Sequence, residues 1–297
     1  MGAQINQIYS YHDHSTNYET NDQQGQVLAL AKKVIDPFIA HGVPNNLSHI
    51  LVATTCPDML SPSLAQQIKE IYIDTFSNCL SLDIVQGCAG GITAMVLGSQ
   101  ISESHDSSVL VIKADAAKKA TSKSTKIHRI FGNGSFSCLI TKGTSHKRMI
   151  HYKTIQYKGL SKVVNVNLGH DADRIIMNGS KDLRTDPRKY LGLSLNRVLA
   201  IKLYQKAEQF YLDFIQESET PDILILHQVN PLIMKHLEFI FKKYKLHFVN
   251  VSDKTGNCGA ASVGIALNFV KDSLENKKVM LCSFGTGGVI TAGLWQF

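Results

Sequence analysis

Apolar and polar positions along the chain recur with two periods, and the changes between them mark out its elements. Between Asp22 and Ile39 the apolar residues Val27, Leu28, Leu30, Ala31, Val34 and Ile35 recur at helical spacing. Asp36-Pro37 is placed to kink that helix and His41-Gly42 to end it. Ser48 to Thr55 reads as a strand with Ile50-Leu51-Val52-Ala53 at its centre, and Ser61-Pro62-Ser63 opens a helix reaching Phe76. Leu82 to Val85 is a short apolar run that predicts a buried strand. A glycine-rich turn with Cys88 in it follows, then a helix of small apolar residues from Ile92 to Gln100. Val109 to Ala114 and Ser135 to Thr141 read as strands. Between them lie the basic residues Lys118, Lys119, Lys123, Lys126 and Arg129 and the turn Phe131-Gly132-Asn133-Gly134. From 143 to 170 the pattern loosens into segments rich in Lys, Gly and His, which read as a connection. Beyond it come a helix from Asp186 to Glu217, a strand from Pro221 to Leu226, and a helix started by Pro231. A strand from Phe248 to Val251, a turn from Gly256 to Ser262 and a helix from Val263 to Val270 follow. Lys278 to Ser283 and Val289 to Leu294 are the last strands, flanking Phe284-Gly285-Thr286-Gly287-Gly288.

Helix and strand alternate throughout, which is the pattern of a layered α/β fold. The order of elements in the second part repeats that of the first, so two similar α/β halves are expected, residues 1–150 and 151–297. With 297 residues, 44% apolar and 19% charged, the chain can bury a large core. No run reaches the roughly 20 apolar residues of a membrane-spanning helix, and Met1 to Gln24 holds no apolar signal core, so a soluble cytoplasmic protein off the membrane is expected. Six cysteines, widely spaced and without a C-x-x-C pair, argue against a zinc site and a disulfide framework. The net charge of +7 suits an acidic partner or a phosphate-bearing ligand, and is neither high nor clustered enough to predict nucleic acid. His12-Asp13-His14 has ligand types for a metal but reads more simply as a loop or edge strand.

Three polar residues stand where a strand gives way to a helix: Cys88, His227 and Asn257. Such ends gather on one edge of the sheet in layered α/β folds. A thiol at a helix start is favoured as thiolate, and Gly87, Ala89, Gly90 and Gly91 let a carbonyl approach the sulfur. Neutral imidazole is the usual proton partner of a thiol, and a carboxamide N–H can hold an oxygen as charge develops on it. Taken singly, a cysteine in such a turn is more often a packing residue, while the histidine reads equally as a core residue and the asparagine as a turn-former.

The segments Val52-Ala53-Thr54-Thr55, Gly87-Cys88-Ala89-Gly90, Phe131-Gly132-Asn133-Gly134, His227-Gln228-Val229-Asn230, Gly256-Asn257-Cys258-Gly259-Ala260-Ala261-Ser262-Val263 and Phe284-Gly285-Thr286-Gly287-Gly288 resemble, in order, those of the thiolase-fold condensing enzymes of the β-ketoacyl-acyl-carrier-protein synthase III group. The resemblance implies two α/β halves in an α-β-α-β-α arrangement. It implies that Cys88 takes an acyl group from a coenzyme A or carrier-protein thioester, with the N–H groups of Cys88 and the Gly287 region as oxyanion hole. His227 and Asn257 would then hold the thioester oxygen of a malonyl unit as carbon dioxide leaves, and the carbanion would attack the acyl group in a decarboxylative Claisen condensation. Asn230, Gly285 and Thr286 would line the substrate site. Lys235, Lys242, Lys243 and Lys245, or a merely solvated helix face, follow the His227 turn where similar enzymes dock a carrier protein. No cofactor or metal is implied, and a homodimer or a heterodimer with a related ketosynthase subunit is. The pathway would be fatty-acid-like or specialised, of the polyketide kind.

Against that pattern the chain starts short, with the opening strand and the segment ahead of Ile8-Tyr9 absent, which removes part of the usual hold on the adenine of coenzyme A. Asn133 replaces a customary aspartate, as a structural change. Ser61 stands where an aromatic often floors the partner subunit's acyl pocket, so Met59, Leu60 and Ser61 are the candidates for chain-length control. Tyr157 to Asn178 matches little. Other readings stay open: acyl transfer from Cys88 to an oxygen or nitrogen nucleophile, or a shortened partner subunit of a heterodimer. A thiol peptidase, which also orders Cys, His and Asn this way, would want an aromatic-flanked cysteine with no buried strand before it.

Overall fold

The computed structural model describes residues 2–14, 26–120, 126–167 and 192–297. Strands β1 (Ala3–Asp13), β2 (Leu47–Ala53), β3 (Leu80–Ile84), β4 (Ser108–Ala116) and β5 (Asn133–Lys142) form one sheet in the order β1-β5-β4-β2-β3. Strands β6 (Arg148–Gln156), β9 (Ile223–Leu226), β10 (His247–Val249), β11 (Lys278–Phe284) and β12 (Val289–Gln296) form a second in the order β10-β9-β11-β12-β6. The short strands β7 (Val164–Asn167) and β8 (Gly192–Leu195) pair separately. Both large sheets have the same connectivity. An antiparallel edge strand leads into an antiparallel hairpin, whose other arm begins two successive parallel pairings.

The inner strands are buried on both faces, which is why the centres of β2, β9 and β11 read as continuous apolar runs. In β4, Val109 and Val111 enter a central cluster while Leu110 and Ile112 enter an outer one. In β9, Ile223 and Ile225 face the same central cluster and Leu224 and Leu226 the opposite outer one. Helices α3 (Gly90–His105) and α6 (Ser262–Phe269) fill the central layer. A helix between two sheets has no face for water, and both sequences are small and apolar around most of their circumference. Glycines set the spacing there: a Cβ on Gly91 would lie 2.3 Å from the Ala260 carbonyl oxygen, and one on Gly264 would lie 2.3 Å from the Phe136 ring. Helices α1 (Gln26–His41) and α2 (Leu64–Ile71) cover the outer face of the first sheet, and α4 (Arg197–Glu217) and α5 (Pro231–Phe241) that of the second. The layers are α-β-α-β-α.

Several expectations change. The opening strand is present: β1 pairs along β5 from Ala3 to Asp13. Its polar outer positions hid it, because an edge strand buries only part of one face. The segment from 148 to 156, read as connection, is the matching edge strand β6. Leu80–Ile84 is a strand but not a buried one; Leu82 is 43% exposed and Val85, just past its end, 77%, since β3 is the outermost strand. The helix expected up to Phe76 breaks at Tyr72. Its start, α2, carries a capping box between Ser63 and Gln66, and Asp83 accepts the Leu64 and Ala65 N–H groups. Pro37 lies inside α1, which runs on to His41. The helix expected from Asp186 begins at the Asn196 cap; 186–191, Lys123 and the end of the Tyr157–Asn178 stretch lie outside the described residues. Among the described residues no helix is long and apolar enough to cross a membrane.

Candidate active site

Cys88 occupies a single helical turn, Gly87–Ala89, between β3 and α3, and that turn sits against the end of β11. The Ser283 hydroxyl donates to the Cys88 carbonyl at 2.8 Å, and the Cys88 N–H donates to Thr286 Oγ1 at 3.3 Å. A Cβ on Gly285 would touch the Cys88 sulfur at 3.3 Å. His227 ends β9, the parallel neighbour of β11. Its N–H donates to the Cys282 carbonyl at 2.9 Å, and its ring stands edge-on to Phe284 at 6.1 Å. Tyr204 of α4 meets the same Phe284 ring at 5.3 Å.

Asn257 is fastened from three sides. Its N–H donates to the Ile130 carbonyl at 2.8 Å, its carbonyl accepts from Gly132 at 3.0 Å, and its Oδ1 accepts the Gly259 N–H at 3.0 Å. With Oδ1 so engaged, Nδ2 is the end able to serve a ligand. The Gly259–Ala261 turn that follows packs on the first turn of α3 beside Cys88. The Cys88 turn and His227 are thus both held to the end of β11, and the turn after Asn257 packs on the Cys88 turn.

The protonation states differ from expectation. The residue Cys88 keeps some open surface, yet its thiol is enclosed, and burial, then the Asp115 carboxylate and Cys56, push it up to about 12. The field of one helix end does not offset that desolvation, so the site rests as thiol and not thiolate. Burial also pushes His227 down to about 4, leaving a neutral imidazole at pH 7, and its Nδ1 finds no hydrogen-bond partner among the described residues. A protonated thiol and a neutral imidazole are the states in which the one can act as nucleophile and the other as base.

Asp115 is a site residue that sequence reasoning missed. It is fully buried at the end of β4 and accepts from Thr54 Oγ1 at 3.0 Å, Thr55 N–H at 2.6 Å, Cys56 N–H at 3.2 Å and Ala260 N–H at 2.6 Å. It ties the loop after β2 to the Asn257 turn. The available signal was an acid two residues beyond Lys113 at the end of a strand whose start, Val109–Ile112, is apolar.

The other predicted residues are placed as follows, with the Thr286–Gly288 turn packed against the Cys88 turn. Met59, Leu60 and Ser61 stand on the surface, Leu60 82% exposed. Asn230 caps α5 through Oδ1, which accepts from Ile233 at 2.9 Å. Gly287, at φ 77°, is held by Gln156, whose Nε2 donates to its carbonyl at 3.0 Å. Lys235 and Lys242 are exposed, but Lys243 is paired with Glu208, and Lys245 ends the helix in a left-handed conformation. The basic stretch is not a solvated face at its start: Lys119 and Asp58 form a buried pair at 2.7 Å. Asn133 is buried and its Oδ1 accepts the Lys118 N–H at 3.3 Å, a structural use. His12 packs on Phe269 at 5.5 Å and His14 lies beside Gly256. Among the described residues no three His, Cys, Asp or Glu side chains are grouped to hold a metal.

A duplicated, five-layered α/β protein with a cysteine at the seam of its sheets is the architecture of thiolase-like enzymes. Residues 82–158 match the family model described as 3-oxoacyl-[acyl-carrier-protein (ACP)] synthase III, and residues 217–297 match that family's C-terminal model. The chain belongs to this family. The β-ketoacyl-[acyl-carrier-protein] synthase III of Clostridium botulinum (strain Okra / Type B1) is 28% identical over 85% of this chain and 78% of its own length. That of Staphylococcus haemolyticus is 26% identical over 93% and 83%. Among solved structures, 3-oxoacyl-[acyl-carrier-protein] synthase III from Aquifex aeolicus superposes with a TM-score of 0.78 at 18% identity, over 100% of both chains. A variant of Xanthomonas campestris OleA gives 0.74 at 15% identity, over 100% of this chain and 99% of its own. These structural likenesses concern the fold.

Proposed function

We propose that this chain is a ketosynthase III-type acyltransferase that loads an acyl group from a coenzyme A or carrier-protein thioester onto Cys88 and condenses it with a malonyl-type thioester. What supports this reading is that Cys88 and a buried, neutral His227 are both held to the end of β11, while the turn after Asn257 packs on the Cys88 turn. His227 takes the thiol proton as the sulfur attacks the donor carbonyl, and the donor's thiol leaves. A malonyl thioester then binds with its carbonyl oxygen toward His227 and Asn257. Both half-reactions place negative charge on a thioester oxygen, and donors fixed in a dry site stabilise it most when it is charged. The pathway assigned here is fatty-acid synthesis or a specialised relative of it.

Intact-mass spectrometry after incubation with acetyl-, octanoyl- and carrier-bound acyl thioesters tests the first step. A single acyl adduct that disappears in Cys88→Ala is expected, and its mass names the donor. An adduct that persists in Cys88→Ala removes the assigned nucleophile.

The assembly inferred is a dimer through β3. Leu80, Leu82 and Val85 are 54%, 43% and 77% exposed along the outermost strand of the first sheet, an edge open to pairing with another chain. Met59 and Leu60 are exposed as well, which suits a role at a partner's acyl pocket. Leu82→Lys is expected to shift the protein from dimer to monomer in light scattering; an unchanged mass would place the interface elsewhere.

A further inference from the structure

The two oxygens of the buried Asp115 hold different parts of the chain. Oδ1 accepts from Thr54 Oγ1, Thr55 N–H and Cys56 N–H, all in the loop after β2. Oδ2 accepts from the Ala260 N–H at 2.6 Å. The loop is itself a fixed support. Further along it, Asp58 pairs with Lys119 and accepts the Val27 N–H at 2.8 Å, with the Lys119 and Asp58 side chains only 2% and 3% exposed. On the other oxygen the fit is close. A Cβ on residue 259 would lie 2.2 Å from Asp115 Oδ2 and 2.9 Å from Thr55 Oγ1, and Gly259 has φ +54°, a conformation that favours glycine. The Gly259 N–H in turn donates to Asn257 Oδ1 at 3.0 Å. The carboxylate therefore bears on the residue that orients the Asn257 carboxamide.

Three of the four partners are backbone N–H groups, which can only donate, so the arrangement suits the ionised acid and works against the cost of burying it. Resting on the acyl-transfer reading above, we propose that Asp115 is a positioning residue for the decarboxylation half-reaction. It acts through Gly259 and Ala260 to hold the Asn257 carboxamide in register with the loop after β2, and it touches no substrate itself. A donor that stabilises developing charge must be held to a fraction of an ångström, and a locked hydrogen-bonded support behind it supplies that precision.

A carboxamide offers one acceptor oxygen where a carboxylate offers two. In Asp115→Asn that oxygen keeps most of its bonds by facing Thr54, Thr55 and Cys56, which turns the NH2 onto the Ala260 N–H, donor against donor. Only the Asn257 end of the tie is then broken. Asp115→Glu keeps the charge but, one methylene longer, drives its oxygens into the space that Gly259 leaves open. With folding checked by circular dichroism, two rates are compared with wild type: carbon dioxide release from malonyl-coenzyme A and malonyl carrier protein, and alkylation by iodoacetamide read on the Cys88 peptide. A misplacement of about 1 Å costs on the order of 100-fold in rate. Carbon dioxide release is therefore expected to fall about 100-fold in either variant. Alkylation should stay at the wild-type rate in Asp115→Glu, and at or above it in Asp115→Asn, where the charge that opposes the thiolate is gone. Alkylation slowed as much as carbon dioxide release would reduce Asp115 to a packing residue and overturn the proposal. So would release at the wild-type rate in a folded variant, or failure of both variants to fold, and in these cases wild-type release leaves the condensation reading standing. A wild type that releases no carbon dioxide sinks both.

Discussion

Replacing His227 by alanine is expected to lower carbon dioxide release from a malonyl thioester by about 10³-fold, because on the proposed mechanism the decarboxylation loses a fixed donor to its developing oxyanion. Acylation of Cys88 should fall too, for a separate reason. A thiol pushed up to about 12 supplies almost no thiolate at pH 7, so it depends on a base. The two losses separate by pH. In His227→Ala, acylation should recover about tenfold per pH unit as hydroxide supplies the thiolate, whereas decarboxylation should stay flat, since no pH restores the donor. Radiolabelled carbon dioxide capture and intact mass read the two steps; decarboxylation that survives in this variant would show that the imidazole does not hold the malonyl oxygen. In the wild type, His227 is neutral down to about pH 4, so an acid limb near 4 and not near 6.5 is expected. The same shift acts on stability. As pH falls from 6.5 toward 4, the unfolded chain binds a proton that the buried imidazole refuses, and about 3 kcal/mol is lost over that window.

The second large effect is a gain. Lys113 on β4 is fully buried in the central layer, its Nζ 2.8 Å from Met95 Sδ and 4.8 Å from the Phe136 ring centre. Burial pushes the ammonium down to about 8, with the Cys138 thiol opposing. Below pH 8 both folded and unfolded chains carry the charge, and the folded one bears the full desolvation cost. Between pH 8 and about 10.5 the folded chain sheds the proton first, so wild-type stability should rise across that window. Lys113→Met keeps the unbranched shape and removes the charge. It is expected to stabilise the protein by about 3 kcal/mol at pH 7, several degrees in melting temperature, and by little above pH 10.5. Calorimetry at both pH values decides; a destabilised variant at pH 7 would mean that the ammonium has a partner that offsets its burial.

What could be read from the chain alone follows the reach of each signal. The central helices were legible because Ile92 to Leu97 and Val263 to Leu267 have no polar face, which places them between sheets. The inner strands were legible for the same reason. Edge strands were not, since β1 and β6 alternate polar with half-buried positions and exist by pairing with β5 and β12 far along the chain. Leu82 and Val85 looked buried because local apolarity does not say whether the covering surface belongs to the same molecule. Cys88, His227 and Asn257 were legible as motifs. The thiol's protonation state was not, because it depends on Asp115 across the sheet and on enclosure, neither of which leaves a mark near Cys88. Thr286 was flagged as lining, but its hold on the Cys88 amide needed coordinates.

The contact of Gly91 with the Ala260 carbonyl makes the seam a gauge block for the chemistry. The Cys88 turn leads into one central helix and the Asn257 turn into the other, so on the proposed mechanism the reacting distance is set by how closely two backbones lie. A methyl group at 91 would widen that gap without altering a single reactive atom, and turnover would then measure distance alone.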